Sequence, residues 1–146
     1  MTNLIIRRFT ASDKDQWNML WQGYNTFYTR SIELRVSERT WVALLENRGE
    51  PFGFAAELDG KVVGFTHYFF VRSTSDWGPP CYLQDLFAQS DIRGKGIGKA
   101  LIEAVYADAD KHDAAQTYWL TDEANATARK LYDHVANKSP FIKYQR

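Results

Sequence analysis

The sequence predicts a single α/β domain over residues 1–146, built on a central mixed, mostly antiparallel sheet with helices on both faces. Three observations carry that prediction. Short β-branched and aromatic runs alternate with segments of helical periodicity along the chain. Asp59-Gly60 stands between two apolar runs, which is a strong two-residue hairpin signal. A strand, a glycine-rich turn, a helix and another strand follow one another from Tyr82 to Leu120, as one parallel strand pair requires.

The elements follow in order. Leu4-Ile5-Ile6-Arg7-Arg8-Phe9 is β-branched and short, and reads as a strand. Ser12 or Asp13 can cap the helix behind it, in which Trp17, Trp21, Tyr24 and Tyr28 fall at i, i+4, i+7 and i+11 on one face. A second helix is expected from near Ser37, with Glu38 in its first turn, through Trp41, Leu44 and Leu45, until Asn47-Arg48-Gly49 stops it. Phe52–Leu58 and Lys61–Val71 are the hairpin strands. Trp77-Gly78-Pro79-Pro80 is a loop, because prolines cannot donate to a ladder. Tyr82–Ala88 is a strand, and Lys95 to about Lys111 a helix with Ile97, Leu101, Ile102, Val105 and Ala109 on its core side. Tyr118-Trp119-Leu120 is expected as a strand, Ala124–His134 as a helix and Phe141–Tyr144 as a closing strand.

Composition narrows the function classes. Of 146 residues, 45% are hydrophobic and 25% charged, the balance of an ordinary globular protein. The 15% aromatic share supplies large side chains for a substantial core. Lys plus Arg equals Asp plus Glu at 18 each, which removes the basic footprint of a general nucleic-acid binder. No apolar run approaches the ~18 residues of a membrane span, and the N-terminal charges follow the apolar residues rather than preceding them as in a signal peptide. Cys81 is the single cysteine, so an intrachain disulfide and a multi-thiolate metal site are excluded. His67, His112 and His134 show no ligand spacing, and no metal is expected. A cytoplasmic, reduced setting is the expectation.

The most informative segment is Arg93-Gly94-Lys95-Gly96-Ile97-Gly98-Lys99, between a strand and a helix. Alternate glycines clear side chains from the backbone, and a helix start presents unpaired N–H groups that suit phosphate oxygens. Arg93, Lys95 and Lys99 add positive charge, so the chemistry implied is pyrophosphate binding. Two familiar loops fail the test. A P-loop would need glycine at Arg93 and serine or threonine at Ala100, and a dinucleotide fingerprint would need glycine at Lys99 or Leu101.

Arg93-Gly94-Lys95-Gly96-Ile97-Gly98 is similar to the Arg/Gln-x-x-Gly-x-Gly/Ala signature of the GNAT superfamily of acetyl-CoA-dependent N-acetyltransferases. Asn125-Ala126-x-Ala128-Arg129-x-Leu131-Tyr132 resembles that family's helix after the fifth core strand, and the element order resembles the family's from end to end. Tyr82-Leu83-Gln84-Asp85-Leu86-Phe87 looks like the spermidine/spermine acetyltransferase branch. The resemblance implies a splayed parallel pair, here Tyr82–Ala88 and Thr117–Leu120. Into this splay the pantetheine arm of acetyl-CoA pairs with backbone of Leu86, Phe87 and Ala88 as an extra strand would. It implies that amides from Arg93 through Lys99 hold the pyrophosphate, that Asn125 and Arg129 contact the cofactor, and that Tyr132 assists thiolate departure. A phenol near pKa 10 protonating a thiolate near 8.5 is uphill by about 2 kcal/mol, so the tyrosine acts mainly by hydrogen-bonding the developing sulfur charge.

One departure matters. Polyamine-type relatives carry Glu-Asp where this chain has Gln84-Asp85, and an amide cannot accept the proton that an alkylammonium must lose at a cost of roughly 4–5 kcal/mol at pH 7. Asp85 remains, although strand alternation points it to the face opposite Gln84. A water chain ending at Asp85, Asp122 or Glu123 is the other route. The first two helices and their joining loop form the acceptor wall in the resemblance, so Tyr28, Arg30, Glu33 and Arg35 are the expected specificity residues. The implied reaction is direct acetyl transfer to a primary amine of a small molecule, a polyamine or an amino-acid-like compound, in a ternary complex. The alternatives are a protein lysine or N-terminal acceptor, or a CoA-binding module without catalysis. Trp77, in a Gly-Pro-Pro loop, is placed to contact substrate or a second subunit, and the resemblance to a family with many dimeric members implies a homodimer.

Overall fold

The computed structural model describes residues 3–92 and 94–146. Its elements run β1 (Leu4–Arg7), α1 (Lys14–Phe27), α2 (Leu34–Glu46), β2 (Phe52–Leu58), β3 (Lys61–Phe70), β4 (Cys81–Ala88), α3 (Ile97–Lys111), β5 (Thr117–Tyr118) and α4 (Ala126–Val135). The sheet order is β1-β2-β3-β4-β5, antiparallel throughout except for the parallel β4–β5 pair. Asp59 and Gly60 both take positive φ, 50° and 86°, which is the backbone a tight primed hairpin turn demands.

Two aromatic-rich cores lie on opposite faces of the sheet. Trp17, Trp21 and Tyr24 of α1 and Trp41 of α2 pack with Phe65 of β3 on one face. Tyr68, Leu83 and Cys81 meet Ile102, Val105 and Ala109 of α3 on the other, with Trp119 and Tyr132 at its margin. The stripe of α1 is therefore core for its tryptophans, as burial of such large apolar surfaces favours.

Several boundaries depart from sequence expectation. β1 ends at Arg7, and Phe9 turns inward to meet Trp41 edge-on at 5.7 Å. Asp13 precedes α1, its carboxylate accepting from the Thr10 amide at 2.7 Å and from Arg7 Nη1 at 2.8 Å. α2 starts at Leu34 rather than near Ser37, because the buried Ser37 hydroxyl accepts from Trp21 Nε1 at 2.9 Å instead of capping a helix. Asn47 ends α2 in the left-handed conformation, as expected of that stop. β5 keeps two residues, not the four of Thr117–Leu120. Phe141–Tyr144 forms no strand: residues 136–146 carry no helix or strand, and Phe141, Ile142 and Tyr144 are exposed. Apolar alternation makes a strand only where a neighbouring edge accepts its amides and carbonyls, and among the described residues no strand of the sheet pairs with this segment.

Candidate functional site

A cleft of about 850 Å³ opens between α2 and the sheet, reaching Arg30, His67, Phe69, Gln84 and Asp85. Gln84 and Asp85 share it, contrary to strict alternation. The reason is a bulge: His67 pairs with Asp85 and the next residue, Tyr68, with Leu83, so Gln84 is the extra residue in the ladder. A bulge re-aims the side chains around it, and here Gln84 and Asp85 both reach the α1–α2 side. Leu83 stays in the opposite core.

Asp85 is 5% exposed and each of its carboxylate oxygens has one hydrogen-bond partner. Tyr24 Oη donates to Oδ1 at 2.9 Å, and His67 Nδ1 lies 3.0 Å from Oδ2. Trp17 Nε1 donates to His67 Nε2 at 3.1 Å. An indole N–H only donates, so His67 Nε2 is the acceptor and the ring proton sits on Nδ1, facing Asp85. Burial, followed by the Asp85 charge, pushes the Tyr24 phenol well above its ordinary value and keeps it a donor. Periodicity and spacing did not single out His67 and Trp17 as site residues; a polar residue at a core-facing strand position was the available signal.

Beyond Tyr82 the two parallel strands part. β4 pairs with β5 only at Cys81–Thr117 and Tyr82–Tyr118, where the two tyrosines stack at 5.2 Å. Trp119 then leaves the sheet for Tyr106 of α3 and Tyr132 of α4, at ring distances of 6.3 and 5.3 Å. Leu86, Phe87 and Ala88 thus run along the opened side of the pair while still bound to β3 at Thr66, Phe65 and Gly64. The Phe87 ring leans on Tyr24 at 5.7 Å.

The glycine segment lies at the mouth of this opening. Gly94 and Gly96 have φ of 88° and 76°, and a Cβ on either would meet nothing within 4 Å. These positions need glycine for their backbone and leave open space beside it. Ile97, Gly98 and Lys99 begin α3, whose first-turn amides lack intrahelical acceptors. Arg93 lies outside the described residues. A Cβ on Gly98 would stand 3.0 Å from Leu131 Cδ2, so the start of α3 sits directly on α4 beside Tyr132. The cradle and the splay together fit a long anionic thioester such as an acyl-CoA.

Tyr132 closes the other wall. Its hydroxyl has no hydrogen-bond partner among the described residues, and burial, then the nearby Tyr28 phenol, pushes its pKa up to about 12. It therefore stays protonated through neutral pH. The remaining expected residues divide. Arg30 reaches the cleft with its guanidinium 5.3 Å over Tyr24 and 5.5 Å over Tyr28. Glu33 and Arg35 pair with each other at 2.7 Å on the surface and do not line the cleft. Asn125 caps α4, its Oδ1 accepting from the Ala128 amide at 3.4 Å, and Arg129 Nη1 donates to the Glu123 carbonyl at 2.8 Å. Both steady the 122–125 loop. Lys95 is exposed beside the glycines, and Lys99 lies 3.8 Å from Glu103.

Among the described residues no group of three His, Cys, Asp or Glu is placed to hold a metal ion, and no helix is long and apolar enough to cross a membrane. Cys81 is buried, and burial pushes its thiol up to about 11, which suits packing rather than acyl transfer.

Comparison with known proteins agrees with this geometry. Residues 10–136 match the acetyltransferase (GNAT) family. The chain is 30% identical over 145 residues to a D-amino-acid N-acetyltransferase of Saccharomyces cerevisiae, covering 98% of this chain and 90% of the relative. In fold it is similar to an aminoglycoside acetyltransferase from an uncultured soil metagenomic sample, solved with trehalose, at a TM-score of 0.78 and 22% identity over 98% of this chain and 95% of that one. It is similar too to AAC(6')-Iy in complex with the bisubstrate analog CoA-S-monomethyl-acetylneamine, at a TM-score of 0.82 and 17% identity over 99% and 97% of the two chains. The glycine cradle, the splayed strands and the family match over most of its length converge: the chain belongs to the GNAT family and is an acyl-CoA-dependent N-acetyltransferase.

Proposed function

We propose that the chain transfers acetyl from acetyl-CoA to the primary amine of a small, amino-acid-like molecule by direct attack in a ternary complex. The observation that carries this reading is the bulge that aims Gln84 and Asp85 into one cleft beside the opened edge of β4. Asp85 takes the proton from the incoming ammonium, and Gln84 orients the amine. The amine nitrogen then bonds to the acetyl carbon as the carbon–sulfur bond breaks, while backbone around Phe87 polarises the carbonyl. Tyr132 Oη donates to the departing sulfur, and amides from Gly94 to Lys99, with the Asn125 and Arg129 side chains and Arg93 of the same motif, hold the cofactor.

Arg30 favours an acceptor that carries a carboxylate. Its guanidinium is poised over two tyrosine rings, and no carboxylate among the described residues forms an ion pair with it. The D-amino-acid relative acts on such compounds, and an amino acid presents an ammonium and a carboxylate a few ångströms apart. A polyamine, the acceptor of the spermidine/spermine branch, would bring no carboxylate for Arg30, in a cleft whose Arg30, Arg39 and Arg48 are offset by Glu38, Glu46, Glu50 and Asp85. We further read the chain as a cytoplasmic homodimer. Trp77, Phe141, Ile142 and Tyr144 stand exposed, and a second copy would cover them.

The test is thiol release from acetyl-CoA with D- and L-amino acids, polyamines, aminoglycosides and a lysine-rich peptide, read against a no-acceptor blank and Tyr132→Phe. Turnover with amino acids that the variant loses supports the reading. Turnover confined to polyamines or the peptide overturns the acceptor class, and tight acetyl-CoA binding without transfer to any amine overturns catalysis.

A further inference from the structure

The chain Trp17–His67–Asp85–Tyr24 crosses the core from α1 through β3 to β4 and returns to α1, and its middle members, His67 and Asp85, line the cleft. All four residues are buried, His67 at 1% exposure. A histidine so placed has two neutral tautomers and a cation, and each presents a different edge to its neighbours. Trp17 removes two of the three. Its indole N–H occupies Nε2, so a proton there would face another proton.

We propose that His67 is a positioning residue for the acetyl-transfer step: Trp17 locks it as the Nδ1–H tautomer, and it and Tyr24 together hold the Asp85 carboxylate aimed into the acceptor cleft. The inference rests on the acetyltransferase reading above. With Nδ1–H on Oδ2 and the Tyr24 hydroxyl on Oδ1, both oxygens are tied and the carboxylate plane cannot rotate. The lone pairs left over are those available to an amine in the cleft. Thr66 Oγ1 donates to the Asp85 carbonyl at 2.7 Å and fixes the backbone behind the side chain. A carboxylate buried as deeply as Asp85 without these donors would carry a desolvation penalty with nothing to offset it. His67 passes no proton onward, since Nε2 is spent on Trp17. Its work is orientation. Among the described residues, the other titratable or charged groups facing this chain are Tyr28 and Arg30 beside Tyr24, and Tyr82, which feels the Asp85 charge.

Two measurements test this, and only one needs turnover. Ring nitrogen-15 spectra of the whole protein at pH 7 should show His67 with Nδ1 protonated and Nε2 bare, and Trp17→Phe should release that pattern. An Nε2–H tautomer, or no change in Trp17→Phe, overturns the lock. In kinetics with the best amine, His67→Leu, which keeps the bulk and drops the donor, should lower kcat by roughly 10- to 100-fold, the penalty of a misplaced reacting group. Acetyl-CoA affinity should hold within about twofold, the ordinary spread for a residue that does not touch it. His67→Asn, whose amide nitrogen falls near the Nδ1 position, should recover much of the loss. Unchanged kcat in His67→Leu, or equal kcat in both variants when each unfolds cooperatively like the parent, overturns the positioning role. If no amine is acetylated by the parent protein, the acetyltransferase reading has failed, and the spectra still decide whether His67 is locked.

Discussion

At the scale of single residues, one hydroxyl and one thiol carry distinct expectations. Tyr132→Phe removes the hydroxyl proposed to donate to the departing sulfur and should lower kcat roughly 10- to 100-fold, a share of what general acids supply, while calorimetry should show acetyl-CoA affinity nearly unchanged. Cys81 should resist thiol reagents in the native protein and react once urea unfolds it, because burial both hides it and raises its pKa to about 11 from 9.0. The same burial sets an alkaline limit to stability. Cys81 and Tyr132 hold folded pKa values of about 11 and 12 against ordinary values of 9.0 and 10.0. The unfolded chain therefore loses these protons first, and stability falls as pH rises from 9 toward 12. Urea midpoints should stay level between pH 7 and 8.5 and decline above about 9. Tyr132 and Asp85 were both legible as candidates in the sequence, since the flanking motif and the strand position mark them. His67 was not, because its role exists only through Trp17, fifty positions away.

At the scale of elements, glycines decide where chains approach. Gly96→Val would force a β-branched residue to φ 76° and fill the open space beside the turn. It should weaken acetyl-CoA binding by at least tenfold, about 1.4 kcal/mol, in a titration, with little change in the amine KM. Gly78 presents the opposite situation. A Cβ there would lie 1.6 Å from the Asp113 carbonyl oxygen, so the β3–β4 loop is pressed against the turn after α3. Gly78→Ala should lower unfolding free energy by roughly 1–3 kcal/mol in urea denaturation. The hairpin, the glycine turn and the helices were readable because each depends on local chemistry: paired positive φ, a missing Cβ, a repeat near 3.6. The start of α2 was misplaced because Ser37 looks like a cap locally and is claimed by Trp21 from another helix.

At the scale of the whole molecule, the exposed apolar side chains are what the proposed homodimer rests on. Trp77 and the tail residues Phe141, Ile142 and Tyr144 are exposed in the single chain, and a second copy is their proposed cover. Sedimentation should find a dimer, and the double substitution Phe141→Asp, Ile142→Asp should shift it toward monomer with the fold intact by circular dichroism. A parent protein that sediments as a monomer removes the proposed homodimer.

The sequence by itself determined the α/β class, the hairpin, the phosphate-suited turn and the family, since these rest on near neighbours in the chain. Tertiary structure alone decided which way Asp85 faces, because that depends on a bulge created by pairing with β3. It alone decided the extent of β5, where Trp119 leaves the sheet for Tyr106 and Tyr132, and the fate of Phe141–Tyr144. Period-two alternation states that a segment has two faces. Only the ladder it joins settles where those faces turn.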